Sequence, residues 1–182
     1  MAESVPIKHI VARFYLTTGG ANPVRLTHSA EDNVWPAWSP DGRRIAFGRR
    51  AGEPGSIFFV VSADGSGTER QVAEGGSGLS WSPDGNSLAL ARYARESGGI
   101  FLVDVESGKQ RDLTSPKPNY DSLPAYSPDG RWIAFTRGEA ESRRGIWVIS
   151  SGGGVAKPVK PGEKRIIGLT WTADSQEIVY ST

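Results

Sequence analysis

Two histidines, four repeated aspartates and three evenly placed arginines are the residues whose types and spacing could do chemistry in this 182-residue chain. His9 and His28 lie on opposite sides of a predicted strand and turn, with no acidic companion at ligand spacing, so neither a metal site nor a His-based triad is supported. No serine sits in a G-x-S-x-G elbow, and no Gly-rich loop leads into a helix as a phosphate cradle requires. The chain has no cysteine, which removes disulfides, thiolate ligands and cysteine nucleophiles and is compatible with either a reducing or an oxidising compartment. No catalytic residue, metal ligand set or cofactor site is assigned on this reading.

Asp41, Asp84, Asp129 and Asp174 could serve as acid catalysts or calcium ligands if they converged. Each sits instead in its own copy of one phrase: Trp38-Ser39-Pro40-Asp41-Gly42, Trp81-Ser82-Pro83-Asp84-Gly85, Tyr126-Ser127-Pro128-Asp129-Gly130 and the worn Trp171-Thr172-Ala173-Asp174-Ser175. Ser-Pro-Asp-Gly reads as a type I turn, with Pro presetting φ, Asp accepting from turn amides and Gly taking the left-handed position. Asp41, Gly42, Asp84, Gly85, Asp129, Gly130 and Asp174 are therefore expected to be structural. Arg49, Arg92 and Arg137 each fall eleven residues after a repeated aromatic, where Thr182 takes the fourth place. Three guanidiniums at one blade position could form a basic ring for carboxylate or phosphate recognition; the alternative is an inter-blade salt bridge or a snorkelling rim residue.

The elements that must position these residues follow from the spacing. The aromatics recur after 43, 45 and 45 residues, a period that fits one four-stranded propeller blade. In the second unit, Gly78 to Trp81 is a first strand, Leu88 to Arg92 a second, Ile100 to Asp104 a third, Glu106 to Lys109 a turn, and Gln110 to Thr114 a polar fourth strand. The neighbouring units align with it through Ile45-Ala46-Phe47 and Ile133-Ala134-Phe135, then Ile57 to Val61 and Ile146 to Ile149. The fold expected is an all-β propeller of four-stranded antiparallel blades, one domain over residues 1–182, with blades at about 35–73, 78–114 and 123–160.

The ends look like halves. Phe14-Tyr15-Leu16, Gly19-Gly20 and Val24 to Thr27 match the third strand, turn and fourth strand of a blade; Trp171 and Glu177 to Tyr180 match a first and second strand. A terminal blade built from 10–27 and 168–182 would remove two sheet edges. Within one chain that gives a closed four-bladed ring; between two chains it gives an eight-bladed homodimer. The small residues Ala37, Gly78, Ser80, Ala125 and Gly168 permit a crowded axis and favour the four-bladed ring.

Pro36-Ala37-Trp38-Ser39-Pro40-Asp41-Gly42-Arg43-Arg44-Ile45-Ala46-Phe47 and Pro124-Ala125-Tyr126-Ser127-Pro128-Asp129-Gly130-Arg131-Trp132-Ile133-Ala134-Phe135 resemble the TolB-type, WD-like β-propeller repeat over essentially the whole chain. The resemblance implies a propeller, commonly of six or more blades, usually bacterial and often periplasmic, or a module on larger proteins such as membrane-anchored regulators, kinases and oligopeptidases. TolB itself binds peptides and partner proteins of the cell envelope. This chain departs in having four units, and its last copy has lost both Pro and Gly.

A formal net charge of +1 gives no field to draw nucleic acid, and the longest apolar stretch, Ile57 to Val61, is far below the ~20 residues of a spanning helix. Neither nucleic-acid binding nor membrane insertion is expected, and the first residues lack a secretory signal pattern. The longer connections, at 28–34, 50–56, 73–78, 93–99, 115–122, 138–145 and 160–168, gather on one face, where binding usually resides. They hold His28, Glu31, Asp32, Arg50, Arg95, Tyr120, Asp121, Arg143, Arg144, Lys164 and Arg165, with Trp35 close by. The function expected is a non-catalytic binding or scaffold module for a peptide or protein segment, with Arg49, Arg92 and Arg137 around the axial mouth, Trp35 and Tyr120 as anchors, and Asp121 and Arg144 beside them. A propeller domain of an enzyme such as an oligopeptidase or lyase, and a self-assembling or engineered repeat, are the alternatives.

Overall fold

Each Ser-Pro-Asp-Gly turn reverses the chain between a short strand and an apolar run, and the fold is hairpin after hairpin. The computed structural model describes residues 14–15, 24–51, 55–92, 98–117, 119–138, 143–163 and 166–182. His9, the Gly19-Gly20 turn, Arg95, Lys164 and Arg165 lie outside the described residues. In chain order the strands are β1 (Phe14–Tyr15), β2 (Val24–Arg25), β3 (Asn33–Trp38), β4 (Arg44–Arg50), β5 (Ser56–Ser62), β6 (Arg70–Trp81), β7 (Ser87–Arg92), β8 (Ile100–Asp104), β9 (Gln110–Asp112), β10 (Asp121–Tyr126), β11 (Trp132–Gly138), β12 (Arg144–Ser150), β13 (Lys157–Glu163), β14 (Gly168–Trp171) and β15 (Ile178–Ser181). Neighbouring strands pair antiparallel, and among the described residues no helix is long and apolar enough to cross a membrane.

The turns explain why the phrase repeats. Ser82 Oγ donates to Asp84 Oδ1 (2.5 Å) and accepts from Ser87 N (2.9 Å), Asp84 Oδ1 accepts from Asn86 N (3.0 Å), and Gly85 N closes on Ser82 O (2.9 Å). The same contacts recur at Ser39–Asp41, Ser127–Asp129 and Thr172–Asp174. Gly85 has φ 72, a left-handed conformation that costs an L-residue about 1–2 kcal/mol. In the worn copy Ser175 holds it at φ 62, and its Oγ accepts the amide of Asp129 from the neighbouring turn (3.1 Å).

β3, β4, β5 and the first half of β6 form one blade; the second half of β6 with β7, β8 and β9 forms the next; β10 to β13 form the third. Residues 73–78, expected as a loop, lie within β6, which pairs with β5 and then with β7, so the first two blades share one seven-stranded sheet. Glycine permits it. Gly75 and Gly78 have φ 72 and 61, and a Cβ on Gly76 would stand 2.8 Å from both Ala91 O and the Phe58 ring. Residues 160–163 likewise belong to β13, an outer strand where Pro158 and Pro161 are tolerated.

The core lies between blades. Phe58, Val60 and Val72 of the first pack against Leu88, Leu90, Phe101 and Val103 of the second. Ala91, Ile100 and Leu102 of the second pack against Ile133, Phe135 and Ile149 of the third. Phe58, Phe101 and Phe135 are fully buried, each worth about 1.5–3 kcal/mol. The aromatics tie first strands together: Trp81 Nε1 donates to Ala37 O and Trp171 Nε1 to Ala125 O, both at 3.0 Å.

The intrachain closure favoured by the sequence is not formed among the described residues. β1–β2 and β14–β15 are separate two-stranded sheets with no ladder between them. Leu26, next to β2, is held by Ile45, Phe47 and Val61 of the first blade, while β14 packs on β10 and β11 of the third. Each half-blade is thus packed on its sequence neighbour.

Candidate axial binding site

Three residues before three of the four repeated aromatics, the first strand bends. Trp35 and Leu123 have φ 51 and Gly78 has φ 61, and each sits at a bulge where register with the second strand shifts. For Trp and Leu this conformation stores about 1–2 kcal/mol apiece. Packing holds it at Trp35: the indole stacks on Phe58 (centroids 6.2 Å, planes 22° apart), and a Cβ on Gly48 would come within 3.0 Å of its ring. Trp35, Pro36, Gly78, Leu79, Leu123 and Pro124 at the bends, with Gly168 and Leu169 of the unbent β14, line a pocket of about 230 Å³. All four first strands contribute, and the lining is apolar. Trp35 remains 39% exposed.

Exposed Tyr120 and half-buried Arg144 form a second pair. The Tyr120 ring lies over Gly138, where a Cβ would approach to 2.6 Å, and the Arg144 guanidinium stands 5.5 Å from the ring centroid. Arg144 Nη1 donates to Ser122 Oγ and Nη2 to the Tyr120 hydroxyl, each at 3.4 Å.

Arg49, Arg92 and Arg137 are turned outward along their own blades, not gathered at the mouth. Each guanidinium covers a third-strand aromatic: Arg49 over Phe59 at 4.5 Å, Arg92 over Phe101 at 4.3 Å and Arg137 over Trp147 at 4.6 Å. Their acids are within the blade, not across blades. Arg49 Nη2 lies 2.8 Å from Glu69 Oε2, in a charge contact without hydrogen-bond geometry, and Arg92 Nη2 lies 3.3 Å from Asp112 Oδ1. In the third blade Pro158 stands at the outer-strand position of Asp112, opposite Trp147 as Asp112 is opposite Phe101, and the first strand supplies the acid: Asp121 accepts from Arg137 Nε (2.7 Å) and Nη2 (2.9 Å).

Asp121, expected on an exposed loop, is therefore buried and committed. It also accepts from Thr114 Oγ1 (2.5 Å), whose oxygen takes the Ile100 amide (2.8 Å). Asn33 repeats the arrangement in neutral form, donating to Thr27 Oγ1 (3.0 Å) and accepting from Arg49 Nε (3.1 Å). These clasps join the end of one unit to the start of the next. Sequence reasoning missed Thr27, Asn33 and Thr114, although the repeated Leu26-Thr27 and Leu113-Thr114 pairs carried the signal.

The turn aspartates are separate centres. A Ser or Thr hydroxyl is the main cause holding each below the ordinary carboxylate range: Ser39 for Asp41, Ser82 for Asp84 and Thr172 for Asp174, with Ser127 taking Asp129 down to about 2. Among the described residues no three His, Asp or Glu side chains group as metal ligands.

The family model described as the TolB beta propeller domain matches residues 13–182. The chain belongs to the TolB β-propeller family. TolB from Acinetobacter baumannii superposes with a TM-score of 0.69 at 24% identity, covering 90% of this chain and 41% of that one. An oligogalacturonate lyase in complex with manganese gives 0.66 at 18% identity, covering 89% and 48%. An uncharacterized peptidase of Bacillus subtilis is 29% identical over 135 residues, covering 71% of this chain and 18% of the relative. The TolB-family chain thus spans less than half the length of each of these proteins, and at such identities the structural likeness is one of fold.

Proposed function

We propose that this chain is a non-catalytic TolB-type propeller module that binds an extended peptide or protein segment at its axial pocket. The observation that carries the reading is the convergence of four first strands on an apolar pocket whose backbone is bent into left-handed conformations at Trp35 and Leu123. Strain kept at a mouth, supported by packing beneath it, fits a preformed site more readily than a purely structural bend. An apolar or proline side chain would enter between Trp35 and Leu123, with Trp35 as the anchor and the Tyr120–Arg144 pair a further contact for a carboxylate or ring. Arg49, Arg92, Arg137 and Asp121 leave the candidate set, because their charges are committed within the fold.

Binding of a random-sequence peptide pool to immobilised protein tests this. Trp35→Ala and Leu123→Ala are expected to weaken capture by roughly tenfold each, while Arg92→Ala leaves it unchanged. Capture that stays within about twofold in both mouth variants sinks the reading.

A second reading, the propeller domain of a peptidase, is favoured by the Bacillus subtilis relative. Under it the chain alone cleaves nothing and the axial pocket screens substrates for a catalytic domain elsewhere. Peptide hydrolysis by the purified chain would overturn both readings.

A further inference from the structure

We propose that the axial pocket takes the end of a chain: the last side chain of an apolar C-terminus enters between Trp35 and Leu123, and Arg144 with Tyr120 binds its terminal carboxylate. This selectivity rests on the axial binding proposed for the chain. Arg144 opens β12, the third strand of its blade, yet its side chain runs inward across β11 to Ser122 of the first strand. Ser122 is the residue next to Leu123 in the pocket wall. Arg49, Arg92 and Arg137 run the opposite way, from the second strand over third-strand rings.

Charge sets Arg144 apart as well. Among the described residues, every other arginine with a side-chain hydrogen bond or ion pair reaches a carboxylate or a backbone carbonyl, as Arg92 reaches Asp112 and Arg111 reaches Ser151 O. Arg144 donates to the hydroxyls of Ser122 and Tyr120, each at 3.4 Å, and stands 5.5 Å from the Tyr120 ring centroid. These contacts orient the guanidinium without neutralising it, and a carboxylate offers it stronger, charge-assisted bonds. Neither residue belongs to the repeated scaffold: Ser56 and Gly99 hold the place of Arg144 in the other blades, and Asp32 and Gly75 that of Tyr120.

The spans favour a terminus over an internal acid. At about 230 Å³ the pocket is smaller than the ~300–1,000 Å³ of sites that enclose a whole ligand, so it holds one side chain. Ser122 and Leu123 are consecutive, with Cα atoms about 3.8 Å apart, and at a C-terminus the side chain and the carboxylate branch from one Cα. An internal acid carries its carboxylate on another residue. In an extended segment the next side chain points to the opposite face, and the one after it lies about 6.6 Å on.

Short labelled peptides ending in leucine, phenylalanine or proline, each as the free acid and as the C-terminal amide, test this on the unmodified chain by fluorescence anisotropy. The free acid is expected to bind at least about tenfold more tightly than its amide, and glutamate placed before the amidated residue does not recover the loss. Arg144→Gln should abolish the difference between acid and amide, whereas Trp35→Ala weakens both forms. Arg144 faces Glu163 across the β12–β13 ladder, and Glu163→Gln should leave the preference in place. Equal binding of acid and amide, still weakened by Trp35→Ala, overturns the carboxylate assignment and leaves axial binding standing. An acid preference that persists in Arg144→Gln, or that arises only in Glu163→Gln, overturns it too. If neither form binds, or if Trp35→Ala changes nothing, axial binding itself fails and the assignment falls with it.

Discussion

At the scale of single residues, the three repeated arginines have one chemistry and unequal weight. Arg137 neutralises Asp121, whose side chain is 0% exposed, so Arg137→Ala strands a buried carboxylate and is expected to cost about 3–5 kcal/mol in chemical denaturation. Arg92 pairs with Asp112 at 37% and 74% exposure, so Arg92→Ala should cost only about 1 kcal/mol, mostly its contact with Phe101. The ranking reverses if the guanidiniums act mainly through exposed charge. The spacing of these arginines was plain in the sequence, but their direction was not: a repeat position does not say whether a long side chain turns toward the axis or lies back over Phe59, Phe101 or Trp147. Trp35 was legible as a candidate because it is a tryptophan near a variable loop. Its left-handed backbone was hidden, since no glycine or asparagine marks the bend. Asp121 misled because its partner Arg137 lies sixteen residues away and its donor Thr114 belongs to the preceding blade.

At the scale of elements, the Ser-x-Asp turn is the unit on which the hairpins depend. Ser82 is buried and makes contacts with Asp84 and Ser87, so Ser82→Ala is expected to destabilise by about 1–3 kcal/mol, while Thr172→Ala in the exposed fourth copy costs less. The aspartates also fix an acid limit. Asp129 and Asp64 are both held down to about 2, so their contribution is fully present above the unfolded aspartate range near ~4 and is lost as pH falls through about 2. Denaturant midpoints measured from pH 5 to pH 2 should decline across this window, and Ser127→Ala should flatten the decline. The turns and inner strands could be read from the sequence because Pro, Asp and Gly act locally. β6 could not, because Glu74 to Gly78 has loop composition, and only the ladders on both sides make it a strand.

At the scale of the molecule, the second blade is better protected than the last two strands. Leu88, Leu90, Ile100 and Phe101 are fully buried, so amides of β7 and β8 should exchange with solvent most slowly, and those of β14–β15 at least about tenfold faster. Deuterium uptake by mass spectrometry reads both. The joints between blades also differ in kind. Between the first two blades β6 is one continuous strand, while the second and third are joined by the 113–120 connection, the Gly98–Tyr120 bridge and side-chain clasps. The two joints should therefore respond differently to cutting: fragments made by cutting between Ser115 and Asn119 should reassemble when co-expressed, as a split reporter does, whereas a cut at Gly75 parts Gly76, which pairs with Ser56 of the first blade and Arg92 of the second, from the strand that precedes it.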